Sequence, residues 1–358
     1  MTYHGMVSSL VLAFLACGCV EDPSTAVAVV PVPSARGVYI VDEGNFGRAN
    51  SALSYYDLGS FQVYPDVFSA VNGKTLGDVG TGMVLHHGTG YIVVNNSNRV
   101  ELIDLETNRE LGSIDTGPGS SPRRLAFVND TIALLTNLYE NTVAVLDLPR
   151  LRVASRVPVG ANPDGIAIAG GKAFVANSGF GSGHTVSVID LANFHGVSNN
   201  LVVTGTIEVG EYPGGVRVTP FGQVYIVCTG SYGDYSNPDD DTPAKIHVID
   251  PGPGAVVDSI FIGGHASDIA ISGIDGVGYV ATVDSVVRVD TRSNRTTGVF
   301  LRGSYYAVGV EEVSGDVYVA DPKNYVQPGT VSVYAATGQL RTTFSVGIIP
   351  GWFAFKRQ

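Results

Sequence analysis

The chain has 358 residues, of which 44% are hydrophobic and 15% are charged, and it contains 45 glycines. A formal net charge of −12, with no Lys/Arg cluster beyond Lys356-Arg357, disfavours a nucleic-acid partner, because phosphate binding needs a basic surface. The composition supports a sizeable core. Long segments of helical periodicity are missing and no linker divides the chain, which predicts one almost entirely β domain.

An apolar segment stands at the start of the sequence. Residues 6–16 have the length of a signal-peptide core and are too short to span a membrane as a helix. Small residues precede Cys19, as in bacterial lipoprotein signals, in which the cysteine left after cleavage carries the lipids. We therefore predict a lipoprotein signal peptide over residues 1–19 with Cys19 as the lipid anchor. Cys17 as the lipidated residue and a secretory signal without an anchor are the alternatives.

Residues 20–35 contain three prolines and predict an extended tether. Two acidic residues directly behind the anchor resemble the export tag of surface lipoproteins in some Gram-negative groups. Acyl chains contribute about 0.8 kcal/mol per buried methylene, enough to hold a domain of residues 36–358 on a membrane. The predicted location is the outer membrane at the cell surface, with its periplasmic face as the alternative.

A repeating unit organises the rest of the chain. Its clearest copy contains three short β-branched runs, Gly165–Ala169, Ala173–Asn177 and Val186–Leu191, each bounded by Gly, Asn or Pro. Such runs are typical of antiparallel strands joined by tight turns. A fourth run, Thr206–Val209, completes the unit. Four strands per repeat predict one blade of a β-propeller.

The order of the repeats predicts how the ring closes. The second strand of the unit has seven copies, and the first of them, Val38–Asp42, has no inner strand before it. The last inner strand, Trp352–Phe355, has no partners after it. Pairing these two runs would complete one blade and leave no open inner edge. The sequence thus predicts an all-β, seven-bladed β-propeller closed by a C-terminal strand that completes the first blade.

Loops that follow the second strand and loops that lead into the inner strand emerge on one face of a propeller. Here they are rich in aromatic and amide side chains, which suit binding surfaces. The candidate ligand-binding residues are Asn45, Phe46, Asn95, Asn137, Tyr139, Phe180, Tyr212, Tyr232, Tyr235, Tyr305, Tyr306, Tyr325 and Trp352. This surface favours a broad, neutral, amide-decorated or sugar-like ligand over a compact anion. Packing of these rings against neighbouring loops is the alternative.

Catalytic and metal-binding patterns are weak. The loop Thr229–Lys245 carries four aspartates, but without EF-hand spacing, so a solvated acidic loop is favoured over a calcium site. The histidines lack metalloenzyme spacing, and hydrolase, P-loop and dinucleotide motifs are missing. We predict no catalytic residue, no metal and no cofactor. Arg123 and Arg124 either reach the channel or form a structural ion pair, and Cys228 fits a small buried position.

Several motifs carry a family resemblance. The tetrapeptides FVAN (174–177), YVAT (279–282) and YVAD (318–321), followed by TVSVID-like strands and VG-x-x-P turns, resemble the YVTN β-propeller repeat family. This resemblance covers nearly the whole predicted propeller and implies the same fold.

A narrower resemblance lies in VDEGNFG (41–47), in residues 305–334 and in VGIIPGWF (346–353). These segments are similar to surface lipoprotein propellers of the cobalamin-capturing BtuG type. The resemblance implies a non-enzymatic protein that binds cobalamin or another corrinoid and passes it to a TonB-dependent outer-membrane transporter.

Three classes of function follow from these observations. The first is the ligand-capturing lipoprotein just described. The second is a propeller enzyme of the lactonase or quinone-dependent dehydrogenase type, which needs convergent acids or histidines at the channel mouth, where we expect acids to be sparse. The third is an envelope scaffold with an apolar rim. The first is favoured by the motifs, since the propeller fold itself hosts all three.

Overall fold

The computed structural model describes Met1 and residues 36–194, 196–197, 201–233 and 238–357. Within these residues, seven four-stranded antiparallel sheets form a ring, which confirms the predicted seven-bladed β-propeller. The predicted signal peptide, its anchor Cys19 and the tether lie outside the described residues. None of the helices in the described part of the chain has the length and apolar character to cross a bilayer.

The strands follow the blades in chain order, from the inner strand outward except in blade 1. Blade 1 contains β1 (Gly37–Asp42), β2 (Ala52–Asp57) and β3 (Val63–Tyr64), and helix α1 (Val67–Asn72) follows it. Blade 2 contains β4 (Gly80–His86), β5 (Thr89–Val94), β6 (Arg99–Asp104) and β7 (Glu110–Asp115). Blade 3 contains β8 (Pro122–Asn129), β9 (Ile132–Asn137), β10 (Thr142–Asp147) and β11 (Arg152–Pro158). Blade 4 contains β12 (Pro163–Ala169), β13 (Lys172–Asn177), β14 (Thr185–Asp190) and β15 (Val203–Glu208).

The second half of the ring continues in the same way. Blade 5 contains β16 (Pro213–Val218), β17 (Val224–Cys228), β18 (Lys245–Asp250) and β19 (Ala255–Phe261). Blade 6 contains β20 (Ala266–Ile271), β21 (Val277–Thr282), β22 (Ser285–Asp290) and β23 (Arg295–Arg302). Blade 7 contains β24 (Ala307–Val310), β25 (Val317–Asp321), β26 (Pro328–Tyr334) and β27 (Leu340–Ile348), and β28 (Pro350–Lys356) then joins blade 1. Short 3-10 helices lie at Leu148–Arg150, Gly179–Gly181 and Pro238–Asp240.

The ring closes where the sequence predicts. Strand β28 pairs antiparallel with β1, with Phe355 opposite Val38 and Trp352 opposite Val41. Phe353 turns toward blade 7, where a Cβ on Gly309 would lie 2.9 Å from the Cβ of Phe353. Glycine at this position therefore lets the closing strand approach the last blade closely.

The core lies between the blades. The buried apolar side chains fall into seven clusters in the described residues, and each cluster joins two neighbouring blades. At two of these boundaries a buried tyrosine of a second strand donates a hydrogen bond to an asparagine of the next blade, Tyr39 to Asn108 and Tyr225 to Asn294. Each blade thus buries both faces only because its neighbours are present.

The inner strands carry a recurrent irregularity that shapes the channel. Near the start of β8 the pairing register shifts between Pro122 and Leu125, and near the start of β12 it shifts between Pro163 and Ile166. Similar shifts occur in β4, β16 and β20. A β-bulge frees residues from the ladder and re-aims their side chains. Several residues released by these bulges line the mouth of the channel, namely Arg123, Arg124, Asp164, Gly214 and Ser267.

Cys228 lies buried at the end of β17, as the sequence predicts. Burial raises the pKa of its thiol to about 12. A thiol with such a pKa is protonated near neutral pH and is a poor nucleophile or metal ligand. Cys228 therefore stabilises the fold by packing in the core between blades 4 and 5.

Removal of the closing strand tests the ring closure. Deletion of residues 351–358 should abolish cooperative folding, because it opens the inner edge of blade 1 and exposes the face of blade 7. The milder Phe353→Ala should lower the free energy of unfolding by about 3–5 kcal/mol, the usual cost of truncating a buried phenylalanine. Urea unfolding followed by circular dichroism measures both. Phe61→Ala, at a side chain that is 69% exposed, should change stability by less than about 0.5 kcal/mol; an equal effect of the two substitutions would contradict the closure.

A buried carboxyl beside this closure should make stability depend on pH. Burial raises the pKa of Asp42 to about 7, although hydrogen bonds from Ser54 and from the backbone of Gly347 oppose the shift. The folded state therefore binds this proton more tightly than the unfolded state, in which the pKa is about 3.9. The free energy of unfolding should fall as pH rises from about 4 to 7, by an amount on the order of 4 kcal/mol.

Asp42→Asn should remove this part of the pH dependence, since the amide does not titrate. The measurement is urea unfolding at pH 4.5 and pH 7.5, compared with the exposed control Asp190→Asn, which should retain the behaviour of the unmodified protein. The same loss of stability between the two pH values in Asp42→Asn would show that Asp42 is not the group responsible.

Candidate ligand-binding site at the channel mouth

A cavity of about 290 Å³ opens at the mouth of the channel, on the face that carries the loops after the second strands. Six of the seven blades contribute to its wall in the described residues. The side chains with polar groups that line it include Glu43, Arg123, Arg124, Asp164, Tyr212, Arg217, Thr229, Tyr232, His265, Ser267, Asp268 and Tyr306. The wall is therefore a mixture of guanidinium, carboxylate and phenol groups.

Two ion pairs cross between inner strands of neighbouring blades. Arg123 of β8 contacts Asp164 of β12 through two hydrogen bonds, Nε to Oδ1 at 3.3 Å and Nη2 to Oδ2 at 3.2 Å. Arg217 of β16 donates to Asp268 of β20 over 3.2 Å. The bulges near the starts of β8 and β12 free Arg123 and Asp164 from regular pairing, and the two-point guanidinium contact fixes the orientation of this pair.

The two aspartates differ in their protonation equilibria. Burial disfavours the charged form of Asp164, but the guanidinium groups of Arg123 and Arg124 outweigh it and hold the pKa of this carboxyl below its usual range. Burial raises the pKa of Asp268, and Arg217 offsets the shift only in part. Asp164 on one wall of the cavity therefore stays ionised to lower pH, whereas Asp268 on the other wall is protonated more readily.

Glu43 and Tyr306 form a third polar group on the side of blades 1 and 7. The Tyr306 hydroxyl donates a hydrogen bond of 3.1 Å to Glu43 Oε2. Burial raises the pKa of Glu43, against the attraction of Arg123 and Arg124, and burial also raises the pKa of Tyr306. A Cβ on Gly351 would lie 2.5 Å from Glu43 Oε1, so glycine at the start of β28 leaves room for the carboxyl.

Trp352 contacts two arginines of the cavity wall, since Arg124 and Arg217 both place their guanidinium groups over its ring. The Cζ atoms lie 4.6 Å and 4.9 Å from the ring centroid, within the range of cation–π attraction. The indole Nε1 donates to the carbonyl of Met83 over 2.8 Å. Trp352 therefore supports Arg124 and Arg217, the two arginines that line the cavity.

The wall at blade 5 contains a stacked pair of rings. Tyr232 lies over His265 with ring centroids 3.7 Å apart. His265 in turn contacts Asp241 through Nε2 at 3.1 Å and the carbonyl of Thr229 through Nδ1 at 3.2 Å. Asp241, one of the four acids of the long loop, is thus engaged in holding the wall.

The structure brings three of the predicted binding residues, Tyr212, Tyr232 and Tyr306, to the wall of the cavity. Trp352 does not line this cavity but contacts two arginines that do, Arg124 and Arg217. Further predicted residues with exposed rings lie on loops of the same face, namely Phe46, Tyr139, Phe180 and Tyr325. Asn45 supports one of them, because its Nδ2 donates to the carbonyl of Tyr325 over 2.6 Å. We call Phe46, Tyr139, Phe180 and Tyr325 the aromatic rim.

Three predicted residues have internal partners instead. Asn95 is buried and donates to the carbonyl of Pro122, and Asn137 is buried beside Glu140 and Thr142. Tyr305 packs against the cluster between blades 6 and 7 and is not among the cavity-lining residues. Tyr235 lies outside the described residues. Contact of any of these residues with a ligand stays a prediction.

The expectation that acids are sparse at the channel mouth is wrong, because Glu43, Asp164 and Asp268 line the cavity. Three arginines, Arg123, Arg124 and Arg217, line the same cavity beside these acids. The sequence analysis named Arg123 and Arg124 but not Arg217. Arg123 both reaches the channel and forms an ion pair with Asp164, so the two alternatives stated for it are both correct. The sequence does contain a signal for two of these residues, because Arg123 and Asp164 each come directly after the proline that starts an inner strand.

A family match covers more than half of the chain. Residues 36–233 match the family described as a domain of unknown function, DUF5074. The chain therefore belongs to the DUF5074 family. No curated protein matches it by sequence.

Solved structures share the fold at low identity. A quinonprotein alcohol dehydrogenase-like protein from Bacteroides thetaiotaomicron is 17% identical, with a TM-score of 0.68 over 90% of this chain and 78% of that one. A functionally unknown protein from Desulfotomaculum acetoxidans is 15% identical, with a TM-score of 0.67 over 90% of this chain and 99% of that one. A Bacteroides fragilis protein provisionally named a 6-phosphogluconolactonase is 14% identical, with a TM-score of 0.67 over 93% and 99%. These similarities show the propeller fold alone.

The ion pair across blades 3 and 4 should matter for stability. Asp164→Asn leaves the guanidinium of Arg123 half-buried without its carboxylate, which should lower the free energy of unfolding by about 2 kcal/mol. Urea unfolding at neutral pH measures the change. Asp258→Asn breaks the more exposed pair with Arg295 and should cost less than about 1 kcal/mol. If both substitutions lower the free energy of unfolding by the same amount, the pair at the cavity stabilises the fold no more than an exposed pair does.

Proposed function

We propose that this member of the DUF5074 family is a non-enzymatic, envelope-anchored protein that captures a small ligand at the mouth of its propeller channel. A corrinoid such as cobalamin is the ligand that we expect, and a TonB-dependent outer-membrane transporter is the expected recipient. The corrinoid, the transporter and the anchor at Cys19 come from the sequence resemblances. The cavity supports the capture of an amide-rich ligand.

The observation that carries the proposal is the alternation of guanidinium and carboxyl groups around one cavity. A primary amide offers a carbonyl that accepts hydrogen bonds and an NH2 group that donates them. Arg123 and Arg217 supply donors, while Asp164 and Asp268 supply acceptors directly beside them. A ligand that bears several amides around a ring, as a corrinoid does, would meet complementary partners from more than one blade.

The shape of the face suits a ligand larger than the cavity. A volume of about 290 Å³ is at the small end for a ligand pocket and would receive only part of a corrinoid. The remainder would lie over the aromatic rim, whose rings are about half exposed or more. Exposed tyrosine and phenylalanine rings give large contact areas at low entropic cost.

The cavity groups are also held in place before a ligand arrives. Arg123 is fixed by Asp164, Tyr306 by Glu43, and Trp352 by the carbonyl of Met83. Binding to groups whose rotamers are already fixed costs less ordering entropy. Such preorganisation favours tight capture of a dilute ligand.

One observation favours a second candidate, a propeller enzyme of the lactonase type. Glu43 is a carboxyl with a raised pKa that lies beside Tyr306 at the edge of a cavity, and such groups are candidates for acid–base catalysis. Hydrolysis of a gluconolactone, followed by acid release at constant pH, would identify this activity. Its loss in Glu43→Gln with the fold intact would assign it to this carboxyl.

Calorimetric titration of the purified protein with cyanocobalamin and with dicyanocobinamide tests the proposal. We expect one ligand per chain with a Kd in the micromolar range or below. Arg217→Met keeps the length of the side chain but removes its donors, and it should weaken binding at least about tenfold, by more than 1.4 kcal/mol. Arg295→Met, at an exposed position of β23, should leave the affinity unchanged.

The absence of heat and of any thermal shift at micromolar corrinoid would exclude this ligand class. Binding that is equally strong in Arg217→Met would place the ligand away from the cavity. The intrinsic fluorescence of Trp352, the sole tryptophan of the chain, gives a check on folding in each variant.

A further inference from the structure

We infer that the face opposite the ligand cavity carries a site for one divalent transition-metal ion, formed by His86, His87 and Asp130. His86 ends β4 and His87 begins the turn to β5, while Asp130 lies in the turn between β8 and β9. Turns that join the first and second strands of a blade lie on the face away from the channel mouth. The site is therefore separate from the proposed corrinoid site and independent of it.

The ligand atoms have the spacing of groups that share a metal ion. His86 Nε2 and His87 Nε2 lie 3.1 Å and 3.0 Å from the same oxygen, Asp130 Oδ1. One ligand atom from each residue falls within 4.8 Å of the others. Metal–ligand bonds of about 2.0–2.2 Å put neighbouring ligand atoms roughly 3 Å apart, so an ion would enter with small movements of the side chains.

The two imidazole rings are held by contacts that leave these nitrogens facing the carboxylate. The ring of His86 stacks on Phe127 at a centroid distance of 4.1 Å and an interplanar angle of 19°. The ring of His87 meets His86 edge to face at 4.2 Å. Rings fixed in this way are preorganised as ligands, since coordination then costs little rotamer entropy.

The backbone of His87 makes a substitution by glycine a useful test. His87 has a φ of +45°, followed by Gly88 at +78°, a pair of left-handed residues as in the tight turns where asparagine-glycine is preferred. The corresponding turn of blade 4 uses Gly170 and Gly171, with φ of +56° and +73°. A histidine thus occupies a position where the backbone also accepts glycine, so His87→Gly removes the imidazole without straining the turn.

The donor set indicates the class of metal. Two imidazoles and one carboxylate suit zinc, cobalt or nickel, whereas calcium and magnesium prefer oxygen ligands throughout. Three protein ligands leave at least one coordination position open. His86 and His87 border a cavity of about 520 Å³ on this face, which Glu312, Lys356 and Arg357 also line. The open position would face this cavity, where water or a small anion could bind the metal.

Zinc titration of the untagged protein, after treatment with a chelator and buffer exchange, tests the inference. We expect one zinc ion per chain by calorimetry, and cobalt substitution should give the visible absorption bands of a coordinated ion. Asp130→Asn and His87→Gly should each weaken zinc binding at least about tenfold, since even the loss of an outer-shell partner typically costs about 10–100-fold in metal affinity. His87→Gly should also fold at least as well as the unmodified chain, because it relieves the left-handed backbone.

The control is His184→Asn, since His184 is an exposed histidine beside Glu208, away from this cluster. Zinc affinity should be unchanged in this variant. Failure to bind zinc, or equal affinity in the unmodified protein and in folded Asp130→Asn and His87→Gly, would overturn the inference and leave the three residues as a hydrogen-bonded cluster. A comparable loss in His184→Asn would indicate nonspecific histidine binding and would likewise overturn it.

Discussion

The structure depends on the pairing of β28 with β1. Each blade buries its two faces only against its neighbours, so a single missing strand would expose an edge and an apolar face at once. Because the last strand of the chain completes the first blade, all seven blade boundaries in the described residues have a packed core. Closure converts a linear series of repeats into a ring with a fixed channel, and this fixed channel is what allows residues far apart in sequence to form one site.

The candidate ligand site is a consequence of how the inner strands begin. Bulges near Pro122 and Pro163 free the following residues from regular pairing, and Arg123, Arg124 and Asp164 line the mouth of the channel. Charged groups in such a position need partners, and neighbouring blades supply them in alternation. Replacing such buried pairs by apolar groups of the same volume is often neutral or stabilising, whereas removing one partner leaves an uncompensated charge.

The two faces of the ring have different chemistries. The mouth combines paired charges with the aromatic rim, a surface that suits a large ligand with many polar groups. On the opposite face two histidines and an aspartate from adjacent blades converge beside a second cavity. Trp352, under Arg124 and Arg217, lies between the two cavities and borders the lower one. The ring thus separates the two proposed sites, and the occupancy of each can be tested independently.

The sequence by itself determined the blades, their number and the pairing of Trp352–Phe355 with Val38–Asp42, because strand periodicity and turn residues are local signals. It also located Tyr212, Tyr232 and Tyr306 on the correct face. It did not show that Arg217 would meet Asp268 or that Glu43 would lie beside Tyr306, since these partners are 51 and 263 residues apart along the chain. Nor did it show that His86 and His87 would meet Asp130, 44 and 43 residues away. Only the closed ring decides such contacts, because the bulges and the angles between blades set where each side chain points.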